Sequence, residues 1–226
     1  MAQAGLHAYI SLKSKKWVPD KKFLFISFLL GSIIPDIDIL FSAIASYYMP
    51  LNKAVEIFHR TFTHSLISVA ALYLIFLIIY EIKKNELILN IAYGLTAGII
   101  FHLLIDIVLW FNTIDLFWPL PIPKINLWFK FTIQNNITNI LLALEFIFFR
   151  LFASKLIDII INNPLNNVYY IKYLGYWMKI EIILFILFII SIQIIPSFSL
   201  IVFGIFYIPS LIMLIFSTWN LRDSID

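Results

Sequence analysis

The sequence predicts an all-α fold, a polytopic helical membrane protein with about five to six transmembrane helices. Hydrophobic residues make up 62% of the 226 residues and charged residues only 13%, against about 25% in ordinary soluble domains. The mean hydropathy is +0.96, and the apolar residues form runs long enough to cross a bilayer. A formal net charge of +3 is too small to indicate nucleic acid as a partner. The lipid bilayer is the partner that this composition predicts.

We expect a single membrane-embedded domain over residues 1–226, because no polar linker is long enough to separate two domains. Within it, residues 1–120 carry the polar motifs and residues 121–226 supply further helices. The chain has no cysteine, so any metal ion must be held by nitrogen and oxygen ligands.

In the N-terminal part, the pattern of apolar and polar residues predicts a short helix at 5–12, a lysine-rich polar turn at 13–22 and a first span over 23–48. We expect this span to be broken near Pro35, because proline removes a backbone donor and disfavours helix at the preceding residue. Broken helices at membrane depth are tolerated where they line a cavity within the protein.

The middle of the chain predicts a loop at 49–63 and spans over 66–82 and 87–111. Thr63 or Ser65 is a suitable N-cap for the first of these spans.

The C-terminal part predicts a loop at 112–136, a fourth span over 137–149, a polar segment at 154–179 and a hairpin of two spans, 181–195 and 198–216. Glu145 and Arg150 are expected to pair or to reach the interface. All six tryptophans fall at proposed span ends or in loops, which is typical of the aromatic belt of membrane proteins. They are Trp17, Trp110, Trp118, Trp128, Trp177 and Trp219.

Basic residues predict an N-terminus in the cytoplasm, because loops on the cytoplasmic side are enriched in lysine and arginine. In this orientation twelve of the sixteen basic residues lie inside. The four outside are Lys53, Arg60, Lys124 and Lys130.

Polar residues in the apolar runs predict a metal site. The chain has only four histidines, and three of them lie close to aspartates or to each other in short motifs. Ionisable residues within spans usually face a cavity and carry function. The candidate ligands are His7, Asp36, Asp38, His59, His64, His102 and Asp106. This set exceeds the needs of one tetrahedral zinc ion and suits one or two divalent ions, with zinc favoured and manganese or iron as alternatives.

Each motif also has a structural interpretation. Asp106 lies four residues after His102, so the two share a helix face and can form a simple hydrogen bond. Asp36 and Asp38 can cap a helix, or a kinked backbone can bring both to one side. His59 and His64 can be solvated in a loop. His7 can join the other histidines only if the first helix re-enters the membrane. The joint occurrence favours the metal site.

Two further residues are candidates for catalysis. Asp38, if it is not a ligand, can orient water or accept its proton. Arg60 can neutralise a phosphate or an oxyanion, or it can be a surface arginine facing headgroups. Thr61, Thr63 and Ser65 are candidate partners for the imidazole N–H groups.

The motifs Pro35-Asp36-x-Asp38, His59-Arg60-x-x-x-His64-Ser65 and Gly98-x-x-x-His102-x-x-x-Asp106, followed by Leu116-Phe117-Trp118-Pro119, resemble the family of inner-membrane metal-dependent hydrolases. The resemblance covers about residues 1–120 and implies an inner-membrane location and hydrolysis. The His-x-x-x-Asp pair is also distantly similar to the sites of zinc-dependent phospholipases C and nucleases.

We therefore expect a membrane-bound metal-dependent hydrolase that activates water on a phosphoester or another lipid-like substrate, such as a phospholipid or amphiphile. The alternatives are an ion or small-solute transporter using the Asp/His set and a metal-stabilised membrane scaffold without turnover.

Overall fold

The computed structural model describes residues 3–109, 113–128, 135–162 and 168–226. Most of these residues are helical, as predicted, and the β-bridge between Ile114 and Ile125 is isolated. The α-helices are α1 Ala4–Lys13, α2 Leu24–Gly31, α3 Ile39–Ala45, α4 Leu51–Phe58, α5 Leu66–Lys83, α6 Glu86–Leu109, α7 Asn135–Asn162, α8 Val168–Ile194, α9 Ser199–Asn220 and α10 Arg222–Ile225. Four 3-10 helices connect them, at Ser14–Trp17, Ile34–Asp38, Phe62–His64 and Pro196–Phe198.

Several helices can cross a membrane. Among the residues that the structure describes, four helical segments are long and apolar enough: α5, α6, residues Tyr169–Ile194 of α8, and α9. A fifth span forms if α2 and the segment Ile34–Ala45, which meet at a bend of 42°, are taken together. The protein is thus a polytopic helical membrane protein. The predicted fourth span, 137–149, lies in α7, which is not among these helices.

The break near Pro35 is present. Helix α2 ends at Gly31, and Pro35 occupies the first turn of the 3-10 helix that follows. Ser65 is the N-cap of α5, and its Oγ accepts the N–H of Ile67 at 3.2 Å. The predicted loop at 49–63 is wrong in part, since α4 occupies much of it and buries Ala54 while Lys53 and Glu56 remain exposed.

The helices cluster into two compact units, the first over Ser14–Thr132 and the second over Gln3–Lys13 and Ile133–Asp226. In the first unit, glycines bring α2 and α6 into backbone contact. A Cβ on Gly94 would lie 2.4 Å from the carbonyl oxygen of Leu24, and one on Gly98 would lie 2.1 Å from that of Phe28. Small residues four apart allow this approach in membrane proteins, and any larger side chain would separate the two helices.

In the second unit, α1, α7, α8 and α9 pack around aromatic side chains. Phe146, Phe149 and Phe152 of α7 are fully buried, together with Phe188 and Tyr207 from α8 and α9. The predicted polar segment at 154–179 is wrong, because α7 continues to Asn162 and α8 begins at Val168.

The polar residues of that segment lie on exposed helix faces. Lys155 and Asp158, for example, form an exposed ion pair at 3.4 Å. Leu156 and Ile160, on the other face of α7, are buried.

Glu145 and Arg150 do not form the predicted pair. The Glu145 carboxylate accepts the backbone N–H groups of Gly5 at 2.5 Å and of Leu6 at 3.2 Å, and so caps the N-terminus of α1. Arg150 donates to the Met178 carbonyl at 2.7 Å.

The aromatic belt is only partly as predicted. Trp17, Trp118, Trp128 and Trp219 lie at helix ends or in loops. Trp177 is buried inside α8, and Trp110 lies outside the described residues.

Candidate metal centre

Helix α6 supplies two of the predicted ligands on its packed face. His102 and Asp106 continue the stripe begun by Gly94 and Gly98, at intervals of four residues, and both are buried. The close approach at Gly98 brings His102 to the end of α2, where its Nδ1 lies 2.8 Å from the Ser32 carbonyl oxygen. A carbonyl only accepts, so His102 carries a proton on Nδ1, and in the neutral ring Nε2 is then an acceptor.

The 3-10 helix that contains Pro35 carries both aspartates. Both are 1% exposed. A carboxylate oxygen of Asp36, one imidazole nitrogen of His64 and one of His102 all lie within 4.8 Å of one another. Asp38 faces the loop that carries His59 and His64, and its Oδ2 lies 3.4 Å from His64 Nδ1. Both aspartates therefore approach His64.

The loop between α4 and α5 positions both of its histidines. Helix α4 ends at Phe58 with His59 as its C-cap, and Arg60 has a positive φ of 65°, which is uncommon for a residue with a side chain. This turn directs the chain back, so that the rings of His59 and His64 meet edge to face with centroids 5.6 Å apart.

The segment that follows α6 holds this loop in place. The Arg60 carbonyl accepts the N–H of Asp115 at 3.2 Å, and Ser65 Oγ donates to the Trp118 carbonyl at 2.6 Å. Hydrogen bonds therefore fix the loop on both sides of His64, at Arg60 and at Ser65.

Asp38 is the acceptor that organises the loop. Its Oδ1 lies 2.6 Å from His59 Nδ1, and its Oδ2 accepts the Arg60 backbone N–H at 3.1 Å and the Thr63 hydroxyl at 2.6 Å. Carboxylates placed behind imidazoles in this way orient metal-binding histidines. These contacts suit a positioning role for Asp38, and its predicted roles as ligand or base stay predictions. Thr63 also lies 3.0 Å from His64 Nδ1.

Two imidazole nitrogens face each other at the centre of the cluster. His64 Nε2 and His102 Nε2 are 3.1 Å apart. Asp106 Oδ2 lies 3.5 Å from the first and 3.8 Å from the second. When His102 is neutral, its Nε2 is an acceptor, and either a proton on His64 or a cation must then lie between the two rings. The donors present, two nitrogens and carboxylate oxygens, are those that a zinc ion takes.

His59 offers a further donor. Its Nδ1 faces Asp38, while its Nε2 is buried and has no hydrogen-bond partner among the described residues. Burial lowers the pKa of His59 to about 4, although Asp38 opposes the shift. Burial also disfavours a charged His64, but hydrogen bonds to Asp106 and Asp38 outweigh it and raise the pKa of His64 to about 9. His59 is therefore neutral at pH 7.

Arg60 is buried rather than exposed to headgroups, so the surface interpretation of this residue is wrong. Its guanidinium Nη2 lies 3.2 Å from Asp106 Oδ2. The positive charge of Arg60 therefore lies next to Asp106, whose carboxylate is close to the imidazoles of His64 and His102.

The first unit thus brings together six of the seven predicted ligands, namely Asp36, Asp38, His59, His64, His102 and Asp106. His7 is fully buried on α1 in the second unit, and its predicted association with the others stays a prediction. The Ser32 carbonyl was not predicted, because a backbone acceptor leaves no signal in the residue type. Thr61 and Ser65 bond to backbone carbonyls instead of imidazoles.

The fold and this cluster define a polytopic membrane protein with a buried site of histidine and aspartate side chains. The family model described as YdjM inner membrane protein matches residues 2–197, and the chain belongs to this family of inner-membrane proteins. No curated protein and no solved structure is significantly similar to the chain.

Proposed function

We propose that the protein is a membrane-bound metal-dependent hydrolase. The observation that supports it is the convergence of His64 Nε2 and His102 Nε2, 3.1 Å apart, next to carboxylate oxygens in a fully buried setting. Four residues would hold a divalent ion here, with zinc the favoured metal and manganese or iron as alternatives: Asp36, His64, His102 and Asp106. A bound divalent ion lowers the pKa of water and polarises an ester oxygen.

The groups around the proposed ligands would orient the imidazoles and supply positive charge. Asp38 and the Ser32 carbonyl hold the imidazoles of His59 and His102 in one orientation and one tautomer. Arg60 keeps a permanent positive charge beside Asp106. This charge is suited to neutralise a phosphate group or an oxyanion that develops during hydrolysis.

The substrate class that we propose is a phosphoester of a lipid or another amphiphile. The chain lies in a bilayer, and the site adjoins the start of a candidate span at Leu66. Amphiphiles reach such a position from the membrane plane, and a phosphate group there would meet the Arg60 charge.

Hydrolysis of bis(p-nitrophenyl) phosphate and of phospholipid vesicles tests the proposal. The wild type purified without chelators should hydrolyse at least one of these substrates, lose the activity with a chelator and regain it with zinc or manganese. His102→Ala should be inactive, whereas Asp20→Asn, which removes an exposed carboxylate, should retain activity. Metal that is bound without turnover would favour the scaffold, and ion flux in proteoliposomes would favour a transporter.

We also propose that the N-terminus lies in the cytoplasm, as the distribution of basic residues favours. The turn between α5 and α6 would then be cytoplasmic, and α4 would lie on the opposite side.

A further inference from the structure

A second polar site lies in the second unit, away from the histidine motifs. Glu181, on the candidate span Tyr169–Ile194 of α8, is 0% exposed. It adjoins a cavity of about 410 Å³ between α8 and α9. Carboxylates at this depth are costly and are retained where they have a functional partner. The site is independent of the proposed hydrolase function.

The two oxygens of Glu181 have different surroundings. Oε1 accepts the indole N–H of Trp177 at 2.6 Å and the hydroxyl of Ser210 at 2.6 Å. Oε2 is buried and has no hydrogen-bond partner among the described residues. Two donors thus orient this carboxylate through Oε1, and its charge has no basic partner among the described residues.

The cavity walls are aromatic and aliphatic. Helix α8 contributes Tyr173, Trp177 and Leu184, and α9 contributes Pro209 and Met213. None of the residues that line the cavity carries a positive charge. Lys172 and Lys179 lie near the cavity, but their ammonium groups stand over the ring of Tyr176, 6.0 and 5.9 Å from its centroid.

We propose that this cavity binds an organic ammonium cation attached to an apolar body. The ammonium group would pair with Glu181 Oε2 and lie against the aromatic rings, which attract cations. The apolar body would occupy the remaining volume, which is within the usual range of about 300–1,000 Å³ for small-molecule sites. Buried charges in proteins are usually paired, because an isolated one is very costly.

Calorimetric titration of the full chain in dodecyl maltoside micelles tests this site, with hexylammonium chloride and 1-hexanol as probes. The two probes share the apolar chain and differ in charge. Wild type should bind hexylammonium in a saturable manner with a Kd at least tenfold lower than that for hexanol. Equal binding of the two probes would overturn the proposal, because it would mean an apolar cavity in which Glu181 takes no part.

Two variants extend the test. Glu181→Gln keeps an oxygen for Trp177 and Ser210 but removes the charge, and it should raise the Kd for hexylammonium at least tenfold. Asp158→Asn removes an exposed charge from the same unit and should leave the Kd unchanged. Equal Kd values in wild type and Glu181→Gln would overturn the proposal. If Glu181→Gln does not fold, the difference in Kd between hexylammonium and hexanol on wild type still tests it.

Discussion

His102 Nδ1 lies 2.8 Å from the backbone carbonyl oxygen of Ser32. This contact joins α6 to the end of α2 and sets the tautomer of the imidazole. It depends on backbone contact one helical turn earlier, at Gly98. The ligand geometry of the candidate metal centre is therefore a consequence of how two helices pack.

Gly98→Ala is expected to disturb both packing and site, because the new Cβ would lie 2.1 Å from the carbonyl oxygen of Phe28. Overpacking of this kind costs about 1–3 kcal/mol. Thermal unfolding in detergent should show a lower Tm, and zinc affinity should fall. Gly204→Ala is the matched control, since a Cβ there meets nothing within 4 Å. Equal Tm values for the two variants would refute the packing argument.

Asp38→Asn is expected to weaken metal binding about 10–100-fold without abolishing it, as is usual for a carboxylate that orients ligands. Asp36→Asn, which alters a proposed ligand, should have the larger effect. Competitive zinc titration with a chelating dye measures both variants. If Asp38→Asn removes all binding while Asp36→Asn retains it, the assigned roles are reversed.

Arg60→Lys is expected to keep the metal and to lower phosphoester hydrolysis at least tenfold. Lysine preserves the charge but replaces the planar guanidinium by a compact ammonium on a different stem. Metal content and initial rates are measured on the same preparation. An unchanged rate would exclude Arg60 from catalysis.

Glu145→Ala is expected to loosen α1, because the buried N–H groups of Gly5 and Leu6 would lose their acceptor. An unsatisfied buried donor costs about 1–3 kcal/mol. Hydrogen–deuterium exchange of the first turn of α1 should accelerate, while Glu145→Gln, which keeps an acceptor oxygen, should change it less. Equal exchange in wild type and Glu145→Ala would contradict the capping role.

The absence of cysteine makes the chain suitable for accessibility labelling. Single variants Lys53→Cys and Asn85→Cys place a thiol on α4 and in the turn between α5 and α6, both at exposed positions. An impermeant maleimide added to cells is expected to label Cys at position 53 and not at position 85. The reverse pattern would place the N-terminus outside the cytoplasm.

Much of the first unit could be predicted from the sequence, because its signals are local. Long apolar runs predicted α5 and α6, Pro35 predicted the broken helix, and the residue types of the motifs predicted which side chains meet. The different contacts of Asp36 and Asp38 could not be predicted. It depends on which oxygens the loop after α4 engages, and that is decided by tertiary contacts.

The second unit was harder to predict because polar residues there lie on helices rather than in loops. Lys155 and Asp158 suggested a polar segment, yet the buried stripe of α7 continues beneath them. Glu145 accepts from Gly5 in a distant part of the chain, and Glu181 accepts from Ser210 on the facing helix in addition to Trp177 one turn earlier. The pairings with Gly5 and Ser210 have no sequence spacing to reveal them.

Elemental analysis of the protein, purified in detergent without chelators, tests most directly whether the His/Asp cluster is a metal centre. The wild type should contain one or two transition-metal ions per chain, and His64→Ala and His102→Ala should each lose metal, because their Nε2 atoms face each other 3.1 Å apart. Asp20→Asn should keep the wild-type content. A wild type without metal, or full metal content in both histidine variants, would contradict the assignment of this cluster as a metal centre.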